Sequence, residues 1–297
     1  MIERYANPKI SEIFSDTHKV SYWQQTELKV IEARSSAGII PGEAYGVIAR
    51  ELAAHPCDIA WWHEREKALH HDLQAWIEER LRWIPQNYRQ YWHQGMTSYD
   101  TEESAFVLML REATTYVRNS VIQNGLIIRD LAIKYRYTPM IGRTHGQWAD
   151  LQSFGKRCLS WHQLITLALD QLSVTTHTSL RYSKLSGAVG NYTGVTPDIE
   201  HRALKLMQLE PYYGATQILP RALFVPHAQA LLNVVNAFQQ IALDIRLSAR
   251  SGYAIIQEPF GSRQKGSSAM PHKKNTINTE KIEGMSRLAT RFTNMIE

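Results

Sequence analysis

The stretch Gly266-Ser267-Ser268-Ala269-Met270-Pro271-His272-Lys273-Lys274-Asn275, with Glu280 just beyond it, gathers hydroxyls, cations and an amide in one short segment. A glycine and two serines allow a loop whose backbone N–H groups can face a ligand. The lysines supply positive charge, Asn275 a donor, and the helical pattern that starts at Ile277 its positive N-terminal end. Such a set suits a negative charge that develops on oxygen during a reaction. The plain alternative is a Ser/Gly linker ahead of a solvated basic helix start.

Two other segments offer chemistry. Gly142-Arg143-Thr144-His145-Gly146 brackets a cation and an imidazole between glycines, a tight turn presenting a group of a type that titrates near neutrality. Read alone, His145 could equally be a structural hydrogen-bonder. Thr97-Ser98-Tyr99-Asp100 precedes a long apolar periodicity, and its hydroxyls and carboxylate lie where helix caps belong. Asp100 and Glu103 have capping-box spacing. Ser186-Gly187-Ala188-Val189-Gly190 is glycine-rich but matches neither GxGxxG nor a P-loop, so no nucleotide fold follows from it.

The elements that must position these segments are helical throughout, with no sustained strand-type alternation. The spacing predicts helices over 11–37, 42–53 and His63 to Leu81. A long helix after Asp100 carries Phe106, Leu110, Ala113, Val117 and Val121 on one face. Further helices are expected over Ala149–Leu180, near 198–208, over Val225–Ala254 and over Ile277–Ile296. The last pattern reaches Glu297 without a stop signal, as in a helix cut in mid-pattern. The expected fold is all-α: a small N-terminal helical domain over 1–97 and a long helical bundle over 98–297.

The chain has 297 residues, 44% hydrophobic and 21% charged, enough for a substantial core. Its net charge of +5 is spread out, without the aromatic–basic alternation of a nucleic-acid module, so no nucleic-acid partner is expected. Cys57 and Cys158 lack CxxC or zinc-ligand spacing and read as core thiols of a reducing compartment. No apolar run approaches a membrane span and no secretory leader is visible, so the expectation is a cytoplasmic protein. The histidines lack an HExxH arrangement, and neither metal nor organic cofactor is expected.

In order and spacing, the three segments resemble the three sequence blocks of the fumarase/aspartase superfamily of lyases, and within it the adenylosuccinate lyase family. Met1-Ile2-Glu3-Arg4-Tyr5 and the Ser-Ser-Ala-Met-Pro-His-Lys wording carry the finer likeness. The resemblance implies β-elimination of fumarate from adenylosuccinate, giving AMP, and from SAICAR, giving AICAR. It implies Ser267 as general base, His145 as general acid, and Lys273 and Asn275 as stabilisers of the aci-carboxylate. Glu280 would orient or charge a site histidine. Arg4 and Tyr5 would meet the nucleotide end. His71 with Asp72, His93, Thr97, Ser98, Gln217 and Ser268 would complete the substrate site. It also implies a homotetramer whose sites draw on several chains, and a C-terminal domain that is absent here. Thr276 stands where the family has proline, and His70 where relatives carry arginine. The alternatives are an argininosuccinate lyase-like enzyme and a non-catalytic relative that binds nucleotide or a longer partner.

Overall fold

A computed structural model describes residues 3–296. Met1 and Ile2 of the N-terminal signature, and the expected helical end at Glu297, lie outside the described residues. The chain divides into two compact units, residues 1–115 with 177–223, and residues 116–176 with 224–297.

The first unit opens with a short 3-10 turn at Glu3–Tyr5 and helix α1, Pro8–Ile13. Helix α2 is Asp16–Ser36, α3 Ala44–Ala54, α4 Ile59–Leu69 and α5 Asp72–Leu81. The single helix expected over 11–37 is thus two. Ser15 stops the first and caps the second, its hydroxyl accepting from the His18 N–H at 3.2 Å.

The helix expected from His63 to Leu81 is also broken. His70 takes a left-handed φ of 53° at the end of α4, and His71 is extended at the start of α5. The reversal lets both helices face one core, where Trp23 meets Trp62 and Trp76 edge-on at 5.6 and 5.5 Å. Trp62 and Trp76 are fully buried, and truncating either to alanine would cost about 3–5 kcal/mol. Helical periodicity cannot see this break, because both sides of it keep an apolar face.

Helix α6 runs Ser98–Lys134 and contributes to both units, as does α7, Phe154–Ser179. At the start of α6 the capping carboxylate is Asp100, whose Oδ2 accepts from the Thr97 N–H at 2.9 Å. The box is therefore Thr97–Asp100, not Asp100–Glu103. The helix begins before Asp100, and Glu103 is instead buried in a two-bond pair with Arg221 at 3.0 and 2.7 Å. The first unit closes with α8, Pro197–Leu206, and a short parallel contact between strands Tyr182–Ser183 and Glu210–Pro211.

The second unit corrects the all-helical expectation locally. Strands β1, Pro139–Thr144, and β2, Gln147–Ser153, form an antiparallel hairpin over the start of the helix expected from Ala149. His145 and Gly146 make its two-residue turn with φ of 53° and 78°, the backbone twist that suits a tight hairpin. Gly142 lies where the strand register shifts. Behind the hairpin, α7 packs with α9, Val225–Ser248, through Cys158, Trp161, Ile165, Leu172, Val234 and Ile241. Helix α10, Ile277–Asn294, lies along α9 and is tied to it by Arg246 and Glu283 at 3.0 Å.

Candidate active site

In the first unit the sequence candidates fall into two groups. Arg4 and Tyr5 are exposed on the N-terminal turn. His71 is exposed as the cap of α5, its Nδ1 accepting from the Gln74 N–H at 3.3 Å, with Asp72 bonded to the Leu73 N–H. His71 and Asp72 thus support the start of α5.

The second group is built around the start of α6. Asp100 is buried against Lys184 at 2.6 Å. The Lys184 ammonium also donates to the carbonyls of Gly187 and Gln217, at 2.7 and 3.1 Å, and the Gly187 N–H donates to Asp100 Oδ1 at 3.2 Å. One buried ion pair thereby ties the Thr97–Asp100 segment to the glycine-rich loop and to the backbone of Gln217. Removing either charge would strand the other where water cannot reach it. Thr97 and Ser98 stand half-buried at the open end of this network, and the Gln217 residue is exposed.

His93 belongs to the same neighbourhood. Its Nδ1 lies 2.7 Å from Glu27 Oε1, which also accepts from the Thr101 hydroxyl at 2.5 Å. Burial pushes the imidazole toward its neutral form. The charge and hydrogen bond of Glu27, with Asp100 behind, outweigh that and raise its pKa above the usual imidazole value. Lys184 and Glu27 are the residues that sequence reasoning missed. Each is remote in sequence from its partner, and nothing in the local wording marks either.

The second unit holds the remaining candidates. His145 is exposed on the hairpin turn. Its neighbour Arg143 bonds the Gly146 carbonyl at 3.0 Å and lies over the Tyr253 ring at 3.9 Å, so the turn is braced from one side. In the 249–276 segment, Ser267 Oγ accepts from the Ala269 and Met270 N–H groups at 3.3 and 3.2 Å. Both bonds place partial positive charge against that oxygen. Gly266 is required here, because a Cβ would sit 1.8 Å from the Lys273 carbonyl oxygen.

Lys273, Asn275 and Glu280 line one cleft of about 750 Å³ with Arg246, Arg250 and Lys274. Ser268 is exposed beside Ser267, and Glu280 lies 3.5 Å from the Thr276 hydroxyl. Two donors that the sequence offered to a ligand are occupied within the segment. The Asn275 amide donates to the Gly266 carbonyl at 2.7 Å. The N-terminus of α10 is met by Glu258, which accepts from the Asn278 and Thr279 N–H groups at 3.2 and 2.8 Å. A free helix end in the sequence pattern is thus a capped one in the fold. The cap comes from a carboxylate upstream of the whole Gly266–Asn275 stretch, outside any local capping pattern.

Long helices joined by polar segments that carry His145, Ser267 and Lys273 form the framework of the chain. The family model described as "Lyase" matches residues 5–290, and the chain belongs to this lyase family, in the fumarase/aspartase superfamily. The adenylosuccinate lyase of Thermotoga maritima is 34% identical over 98% of this chain and 67% of its own length. That of Synechocystis sp. is 33% identical over 97% of this chain and 66% of its own. The chain thus spans about two thirds of the length of the curated relatives it matches. A solved fumarate lyase from Mesorhizobium sp. BNC1 has the same fold, with a TM-score of 0.86 at 21% identity over 97% of this chain and 65% of that one.

Proposed function

We propose that this chain is a C–N lyase that eliminates fumarate from adenylosuccinate, leaving AMP, and from SAICAR, leaving AICAR. One observation carries the reading: the family match runs through all three polar segments, 97–100, 142–146 and 266–275, in a single stretch from 5 to 290. The chemistry asks for removal of a weakly acidic proton beside a carboxylate, stabilisation of the aci-carboxylate, and protonation of the departing nitrogen.

Ser267 is the base of this reading. A serine hydroxyl is a very weak acid, and the two N–H groups aimed at its oxygen favour the alkoxide over the alcohol. Lys273 supplies charge for the aci-carboxylate, joined by Asn275 once its amide leaves Gly266. His145 is the acid, and Glu280 the carboxylate that orients a site histidine. Arg4, Tyr5, His71, Asp72, His93, Thr97, Ser98, Gln217 and Ser268 serve the substrate. The reaction needs neither metal nor organic cofactor.

Among the described residues no helix is long and apolar enough to cross a membrane, and the reading assigns the protein to the cytoplasm. It also makes the active form a homotetramer with shared sites. In support, Leu167 and Val174, one heptad apart on α7, are 58% and 61% exposed, and Ile127 and Phe292 stand open on α6 and α10.

The test is fumarate release from adenylosuccinate by the purified chain, with Ser267→Ala alongside. Fumarate formation that the variant loses by at least about a thousandfold is expected. A folded wild-type chain that releases none overturns the reading and favours a relative that binds nucleotide or a longer partner without catalysis. Sedimentation checks the assembly: a monomer at working concentration would sink the tetramer.

A further inference from the structure

His93 is held in an unusual way. Its backbone takes a φ of 54°, a left-handed conformation that few residues other than glycine adopt without support. The ring is 17% exposed, and Nδ1 faces a carboxylate that is 1% exposed. Glu27 sits on α2, 66 residues before His93 in the chain. A buried carboxylate is costly unless paired, and Glu27 Oε1 takes both the imidazole and the Thr101 hydroxyl. The other oxygen, Oε2, is buried without a hydrogen bond, so the imidazole is the main charge partner of this group.

The geometry points to Glu27 as a positioning residue: its carboxylate fixes His93 with Nδ1–H bound inward, so that the imidazolium presents its Nε2–H as a donor to an anionic oxygen of the substrate. This rests on the proposed lyase reading for His93 and deepens it. The same arrangement of carboxylate behind imidazole sets tautomer and ring orientation in other sites, because the inner bond keeps one proton on Nδ1 and leaves Nε2 as the nitrogen that gains or loses the other. The other charges facing this corner are Arg34 on α2, Asp100 on α6 and Lys184 after Tyr182–Ser183. Asp100 and Lys184 are paired with each other. Arg34 bonds the Gly194 carbonyl at 2.9 Å. Arg34 also lies in the field of Glu27, and of these groups Glu27 is the carboxylate in contact with the His93 ring.

The sign follows from the pair. His93 gains its partner as an imidazolium, so the stabilisation is fully present below the ordinary imidazole value and is lost as pH rises through the folded-state value. Glu27→Gln removes the charge and keeps the shape.

The experiment is nitrogen-detected NMR of the histidine rings in the full chain, titrated with pH, for wild type and Glu27→Gln. AMP and fumarate are then added in separate arms. Wild-type His93 should hold its proton on Nδ1 as pH rises and titrate later than the variant. AMP or fumarate should shift its Nε2 signal, and the arm that does so tells whether a phosphate or a carboxylate is the partner. In the variant that ligand should bind on the order of tenfold more weakly. With turnover in hand, KM should rise and kcat change far less, and Glu27→Asp should recover part of the loss.

Equal His93 titration in both proteins, or a neutral Nε2–H tautomer in wild type, overturns the inference. So does a moved titration with unchanged ligand binding. The wild-type spectrum decides even if the variant does not fold. Absence of fumarate from wild type would count against the lyase reading alone, since neither the tautomer nor AMP binding depends on turnover.

Discussion

The start of α6 and the Gly266–Asn275 segment bear comparable polar side chains and are built in opposite ways. Around Asp100 the carboxylates are buried, and each is bonded to a residue remote in sequence: Asp100 to Lys184, Glu103 to Arg221, Glu27 to His93. Around Ser267 most residues are exposed, and the bonds are short-range ones within the segment, such as Asn275 to Gly266. The first region is held by contacts between residues far apart in the chain, the second by its own turns. A binding wall gains from rigidity, since its donors are prepaid in position. A segment that must close on a substrate gains from bonds that are cheap to exchange.

The contrast can be broken most severely at Lys184. Lys184→Met should strand Asp100 and cost about 3–5 kcal/mol in urea unfolding, far more than any single change in the 261–275 stretch. A loss below about 1 kcal/mol would mean that the network is not the clamp described here.

Two glycines sharpen the same comparison. A Cβ at Gly190 would sit 2.2 Å from the Ala215 carbonyl oxygen, at a φ of 75°. Gly190→Ala should cost more than about 1–2 kcal/mol, because neither the backbone nor its bonded neighbours can move. At Gly266 the clash with the Lys273 carbonyl is tighter still, at 1.8 Å. Gly266→Ala should open the turn between Gly266 and Lys273 and depress fumarate formation, yet cost less global stability than Gly190→Ala, since most residues around this turn are exposed and the disruption stays local. Thermal melts of the two variants side by side decide it; equal losses would erase the distinction.

Between these lies Glu258. Burial pushes its carboxyl up, but the donations from Thr279 and Asn278 outweigh this and hold it below the usual carboxylate range. The cap on α10 is thus present above the ordinary carboxylate value and lost as pH falls through the folded-state one. The protection factors of the Asn278 and Thr279 amides, taken relative to the intrinsic exchange rate at each pH, should fall toward acid. Glu258→Gln should remove that pH dependence and cost about 1 kcal/mol. An unchanged pH profile in the variant would show that the cap carries no charge-dependent work.

Much of this architecture was legible without coordinates. Helices α3, α6, α8, α9 and α10 lie close to where the periodicity predicts them, because an α-helix is bonded i to i−4 and repeats its apolar face locally. The breaks were harder. Ser15 is a recognisable cap in hindsight, and His145-Gly146 between Thr144 and Gln147 is a two-residue hairpin turn of recognisable kind. The strands beside it are short, and their exposed Trp148 and Leu151 blur the alternation.

What the sequence determined by itself is therefore local: the long helices, the polar segments between them and their residue types. Through those segments it also determined the family, since order and wording survive in the chain whatever its path. The tertiary structure alone decided which charges meet. Glu27 and His93, Asp100 and Lys184, and Glu258 and the α10 N-terminus are each pairs that no spacing rule joins. An ion pair depends on distance in space, and only the folded path brings such remote residues within reach of one another.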